Sequence, residues 1–147
     1  MTELELRVHV GAPAETVFAA VTDWPRQGEW MLGTRVSVTS GDGESVGSEL
    51  AAFTGVGPLG FTDTMRITTW RPPLRCDVLH TGAVVRGVGE FVVTPLTDWT
   101  SEFVWTERLD LPLGVVGRLG WQVVRPAFRW GVQRSLDRFA AFAEDYA

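Results

Sequence analysis

Apolar and charged residues alternate from Leu4 to Val10, with Leu4, Leu6, Val8 and Val10 set against Glu3, Glu5, Arg7 and His9. A period of two predicts a strand buried on one face. The period then lengthens. Pro13 fits a first helical position, Glu15 falls in the first turn, and Val17, Phe18 and Val21 follow at helical spacing. This predicts a short helix ending before Trp24-Pro25. Residues 25–30 read as one more helical turn, with Trp24, Trp30 and Met31 placed to plug one end of a core. Alternation resumes in Arg35–Thr39 and Ser48–Thr54, joined by the turn-rich SGDGESVG, and then in Phe61–Trp70, Arg75–Thr81, Val84–Thr94 and Ser101–Leu109.

After Leu111-Pro112 the period becomes helical and stays so from Leu113 to Tyr146. Gly117, Trp121, Val124, Phe128, Val132, Leu136, Phe139 and Ala143 form one apolar stripe. In the first half a second stripe, Val116, Leu119, Val123, Ala127 and Trp130, runs beside it. That half is therefore expected to be covered on more than one side. The second half keeps Gln133, Arg134, Asp137, Arg138, Glu144 and Asp145 wet, and Pro126 between the halves predicts a kink. Consecutive strands on short turns imply an antiparallel sheet and an α+β class.

Composition narrows the function. A chain of 147 residues with 45% hydrophobic residues can bury one core, so residues 1–147 are expected to form one domain. A formal charge of −5 argues against nucleic acid, which selects clustered positive charge. Every basic residue is arginine, as in a GC-rich bacterial genome, and the absence of lysine excludes Schiff-base chemistry. One cysteine, Cys76, rules out an internal disulfide, and with only His9 and His80 beside it neither a protein metal site nor a cofactor is expected. The N-terminus lacks the form of a signal peptide, and Arg118, Arg125 and Arg129 interrupt the apolar run 111–132, so a cytoplasmic protein without membrane insertion is expected. Gly55-Val-Gly-Pro-Leu-Gly60 has the letters of a dinucleotide fingerprint, but the alternating residues after it predict a hairpin turn instead of a helix N-terminus.

The run Val8-x-Val10-x-Ala12-Pro13-Ala14-Glu15-x-Val17-Phe18-x-x-Val21-x-Asp23-Trp24-Pro25, with Trp30 beyond it, resembles the opening of the polyketide cyclase/dehydrase and lipid-transport superfamily, the START-like helix-grip proteins. The order of the later strands and the long last helix is similar too. The resemblance implies a curved seven-stranded antiparallel sheet wrapped around the C-terminal helix, two short helices after the first strand, and an apolar cavity between sheet and helix. It leaves the chemistry open, since the superfamily includes cyclases, lipid carriers and receptors.

Candidate site residues are polar groups sharing a strand face with large apolar ones. Glu107 shares a face with Phe103, Trp105 and Leu109, and His80 with Cys76 and Val78. Both are candidates for proton transfer. The plainer alternatives are a strand-end glutamate paired with Arg86 or Arg108 and a hydrogen-bonded structural histidine. Arg86 is read either as a contact for a ligand carboxylate or enolate, or as a partner of Glu90. Asp63 shares a face with Phe61, Met65 and Ile67. The expected ligand wall comprises Arg86, Phe91, Phe103, Trp105, Gly117, Trp121, Val124 and Phe128. No nucleophilic set is visible, and Tyr146 is terminal. Three functions fit: a carrier of a small hydrophobic ligand (lipid-like, polyketide-like or aromatic), a cyclase/aromatase-like enzyme using Glu107, His80 and Arg86, and an interaction module using the apolar helix. A monomer or a homodimer is compatible with each.

Overall fold

The computed structural model describes residues 2–83, 85–110 and 114–146. The expected strand start at Val84, the sheet end at Leu111-Pro112 and the helix start at Leu113 lie outside the described residues. Seven strands form one sheet: β1 (Thr2–Val10), β2 (Thr34–Ser40), β3 (Glu49–Val56), β4 (Leu59–Arg71), β5 (Arg75–Thr81), β6 (Arg86–Pro95) and β7 (Ser101–Asp110). Their order is β1-β7-β6-β5-β4-β3-β2, with every pair antiparallel.

Strands β2 to β7 follow one another through turns, so each pairs with its predecessor. Strand β1 instead closes against β7, which leaves β1 and β2 at opposite edges of the sheet. The chain must cross the sheet between them. It does so through α1 (Ala14–Val21) and a 3-10 helix (Trp24–Glu29), the two short helices expected from the sequence. The face of α1 made by Ala14, Val17, Phe18, Ala20 and Val21 is buried. Between β3 and β4 the fingerprint-like glycines make a tight hairpin turn, with Val56 opposite Leu59 and Gly57 at φ +58°.

Bulges shape the sheet. One interrupts β2 between Val38 and Ser40, the other β4 between Ile67 and Thr69. Each inserts a residue and bends its strand. The β4 bulge also reverses the side-chain alternation, so Ile67 is wholly buried on the concave face and Trp70, three residues on, still packs edge-on against Phe18 at 5.1 Å.

Helix α2 (Gly114–Glu144) lies across the concave face and continues through Pro126. Its C-terminal half is the core partner. Leu136, Phe139 and Ala143 are fully buried there. Phe139 meets Trp30 at 4.8 Å and Phe103 at 5.1 Å, and Phe103 meets Phe91 at 5.4 Å. Polar ties fix this end: Glu144 accepts from the Gly11 amide at 2.8 Å, the Leu32 amide donates to Ser135 Oγ at 3.1 Å, and Tyr146 donates to Asp23 at 2.7 Å.

The N-terminal half differs from expectation. Leu119 is 64% exposed, Val123 79% and Trp130 66%. The helix has one covered side here, not two: the stripe carrying Trp121 and Phe128 faces the sheet, while the stripe beside it is bare. Trp130, expected from the sequence to be covered with the rest of the second stripe, is bare.

Candidate functional site

Beneath the N-terminal half of α2 the sheet and helix do not close on each other. They enclose a cavity of about 370 Å³, within the range of small-molecule sites. Its aromatic wall is Trp24, Phe61, Phe91, Trp105, Trp121 and Phe128, and aliphatic surface comes from Met31, Met65, Val78, Leu109 and Val132. One charged cluster stands in this apolar wall.

The cluster is built on the concave face by the period of the strands. Asp63 comes from β4, His80 from β5 and Glu107 from β7. Asp63 Oδ1 lies 2.9 Å from His80 Nδ1, and Glu107 Oε2 lies 2.8 Å from His80 Nε2. The Trp105 indole donates to Glu107 Oε1 at 2.9 Å. The side chains are 15%, 4% and 13% exposed for Asp63, His80 and Glu107 respectively.

Strand β6 lies between β5 and β7, so Glu107 must reach over a whole strand to touch His80. It can do so because β6 has no side chains in the way: Gly87 pairs with His80, and Gly89 pairs with Glu107. A Cβ on Gly89 would lie 3.0 and 3.1 Å from the two Glu107 carboxylate oxygens and 3.1 Å from a Val78 methyl. Gly87 is at φ +128°, a conformation in which a Cβ would fall 2.0 Å from the Arg108 carbonyl oxygen, so only glycine fits there.

A neutral imidazole has one donor and one acceptor nitrogen, whereas here both nitrogens face carboxylate oxygens. The ring is therefore held as an imidazolium. Burial is the largest influence on its pKa and acts downward, but hydrogen bonds and charge from Asp63 and Glu107 outweigh it and raise His80 from 6.5 to about 10. The neighbouring Cys76 thiol has no such partners, and burial pushes it up to about 12. It is an inert part of the wall. Among the described residues no group of three His, Cys, Asp or Glu side chains is arranged to hold a metal ion. In the relay the carboxylates flank opposite edges of the ring instead of converging on a point.

Of the residues singled out in the sequence, Glu107, His80, Phe91, Trp105, Trp121 and Phe128 border the cavity, and Asp63 joins them. Glu107 pairs with His80, not with Arg86 or Arg108. Arg86 and Phe91, five residues apart in one strand, face opposite sides, so both cannot line one cavity. Phe91 does. Arg86 lies exposed on the convex face beside Val88 and Arg108, outside the cavity wall. Nor does it hold Glu90, whose carboxylate is bound by Arg75 at 2.8 Å and by Arg108. Phe103 shares Glu107's face but sits deeper, fully buried in the core behind the wall. Gly117 and Val124 flank the inward stripe without reaching the wall, and Val124 is 52% exposed. Sequence reasoning did not assign roles to Gly87 and Gly89. A glycine inside a strand signals that another group approaches closely there, as the Glu107 carboxylate does at Gly89.

An open antiparallel sheet gripping one long helix over an apolar cavity is the helix-grip architecture. The chain belongs to the polyketide cyclase / dehydrase and lipid transport family, whose model matches residues 1–144. Its fold is similar to that of the TTHA0849 protein of Thermus thermophilus, at TM-score 0.80 and 14% identity over 97% of both chains. The di-domain ARO/CYC BexL from the BE-7585A biosynthetic pathway aligns at TM-score 0.75 and 17% identity, covering 98% of this chain and 47% of that one, so this chain spans about half of BexL. The Zhui aromatase/cyclase from Streptomyces sp. R1128 aligns at TM-score 0.73 and 19% identity over 97% of this chain and 93% of that one. At these identities the likeness is one of fold. No curated protein matches the chain. No helix among the described residues is long and apolar enough to cross a membrane.

Proposed function

We propose that the protein, acting as one domain, binds a small hydrophobic molecule between the sheet and the N-terminal half of α2, with the Asp63-His80-Glu107 relay as its polar anchor. The observation that carries this reading is the cavity of about 370 Å³, apolar but for the relay and a few hydroxyl and amide groups. A closed core at native density would leave no such space. Native mass spectrometry of gently purified protein tests it. A stoichiometric apolar adduct released on denaturation is expected, and its retention is expected to fail in Gly131→Leu. Gly131 borders the cavity and a Cβ there meets nothing within 4 Å, so the leucine has room to enter the space.

A second reading, favoured by the relay itself, is a cyclase- or aromatase-like enzyme. A carboxylate, Glu107 or Asp63, would remove a proton beside a ligand carbonyl and return it to the departing hydroxyl, which leaves as water, while the imidazolium, whose two N–H groups are held by those carboxylates, keeps them ionised and in place. Arg86 has no part in this, being on the other face. Glu107→Gln and His80→Asn are then expected to abolish turnover of a poly-β-ketone analogue while leaving its binding within a few-fold. Binding without turnover by the wild-type protein would remove the enzymatic reading and leave the carrier. The bare stripe of Leu119, Val123 and Trp130 supports a third role in association with another protein. In its self-associating form this role predicts a dimer by analytical ultracentrifugation that Trp130→Ser dissociates, and a monomer in both would end that form.

A further inference from the structure

The relay has an odd number of charges. Two carboxylates and one imidazolium leave the cavity wall with a formal charge of −1, and among the described residues no arginine lines the cavity to balance it. The protein's thirteen basic residues are all arginine, so no lysine can serve instead. Hydrogen-bond capacity is unfilled as well. Within the wall the two carboxylates receive three donors, His80 Nδ1, His80 Nε2 and Trp105 Nε1, whereas each carboxylate can accept about four. A carboxylate charge without a partner cation in a largely apolar wall is unfavourable, and a cationic ligand relieves it.

The aromatic composition of the wall points the same way. Ring faces are electron-rich and attract organic cations, and six aromatic side chains surround this space. An apolar ligand with an anionic head would lose its hydration, meet these faces and find a net negative charge with no partner cation.

From these observations, and resting on the cavity-binding reading above, we infer that the site selects hydrophobic amines: aromatic or alicyclic molecules whose protonated nitrogen sits at one of the two relay carboxylates, Asp63 or Glu107, in preference to neutral alcohols and with exclusion of carboxylic acids. The charge on the relay sets the preference, and the aromatic wall supplies the affinity common to all three classes.

The test is a matched set of probes with one ring system: 1-naphthylmethylamine, 1-naphthylmethanol and 1-naphthoic acid, titrated calorimetrically at neutral pH and moderate salt. The amine is expected to bind about tenfold or more tightly than the alcohol, and the acid about tenfold or more weakly than the alcohol. In Asp63→Asn and in Glu107→Gln, each of which brings the relay to formal neutrality, amine and alcohol are expected to converge to within about threefold while alcohol binding persists. Gly131→Leu is expected to abolish binding of both. Equal affinities for amine and alcohol in the wild type, or tightest binding of the acid, would overturn the inference and leave the cavity reading standing. So would an amine preference that survives both charge-neutralising variants, because the acidic surface would then be responsible. Absence of binding by all three probes would overturn the cavity reading and this inference together. Should either variant fail to fold, the wild-type ranking and the other variant still decide.

Discussion

Removing one carboxylate from the relay has a calculable consequence. In the folded protein His80 titrates near 10 against an ordinary value of 6.5. Each pH unit of displacement corresponds to about 1.4 kcal/mol, so the charged ring is favoured over the neutral one by about 5 kcal/mol at most. Because the folded value lies above the unfolded one, this stabilisation is complete below pH 6.5 and drains as the pH rises through about 10. Within that window the unfolding free energy should fall by about 1.4 kcal/mol per pH unit, lowering a urea midpoint by roughly 0.5–1 M per unit. Glu107→Gln removes one charge and one charge-assisted hydrogen bond while burial still opposes the imidazolium. The His80 pKa should then drop by about 1–3 units, and the pH dependence of the midpoint should flatten accordingly. Nitrogen chemical shifts of the imidazole report the charge state directly, and urea titrations across the window report its energy. A wild-type His80 that titrates near 6.5, or shows one protonated and one bare nitrogen at neutral pH, would refute the reasoning. So would equal pH dependence in wild type and variant.

Four further outcomes can be checked. Gly89→Val places a branched side chain where the Glu107 carboxylate crosses β6, with even its Cβ 3.0 Å from an oxygen, so the His80 pKa should fall as in Glu107→Gln although no charge is removed. Phe103→Ala empties a fully buried aromatic position between Phe91 and Phe139 and should cost about 3–5 kcal/mol by denaturant unfolding. Gly120→Ala, in a stretch of α2 where a Cβ meets nothing within 4 Å, should stabilise the protein by up to about 1 kcal/mol, seen as a raised Tm. Trp130→Ser, at a side chain 66% exposed, should change stability by less than about 0.5 kcal/mol; a larger loss would mean that this face is covered in solution.

The fold was legible because its elements carry strong periods. Seven alternating segments and one long helical one gave the order of elements, and the sheet between β2 and β7 then follows from turns too short for anything but neighbouring antiparallel pairs. Face assignments held for Asp63, His80 and Glu107 because the β4 bulge lies beyond Ile67, outside the stretch that carries Asp63, and the pairings of β5 with β6 and of β6 with β7 are unbroken. What periodicity cannot express is depth along a face. Phe103 and Glu107 alternate in phase, yet one is in the closed core and the other in the cavity wall. Nor can it say which of two apolar stripes on a helix is occupied: Trp121 and Trp130 look alike in sequence, and only the path of the sheet turns one inward and leaves the other bare. Arg86 failed for a related reason, since its neighbours Val88 and Val92 are apolar on the convex face.

The conjunction of Gly89 and the relay fits the proposed ligand better than it fits a role in stability alone. A glycine inside a strand costs conformational entropy and forfeits a side chain's packing, and Gly89 occurs on the concave face where the other strands present bulk. Replacing a buried ion cluster by well-packed apolar residues is often neutral or stabilising, so the charges are not explained by stability either. A core built only to hold sheet against helix would place a larger residue at position 89 and an apolar residue at position 107, whereas Gly87 is required by its own backbone conformation. The chain instead thins β6, carries a glutamate across it, and leaves an imidazolium and two carboxylates facing an open aromatic space. The proposed ligand would offset these unfavourable choices together, and for that reason the first ligands to try are those whose charge completes the relay's own.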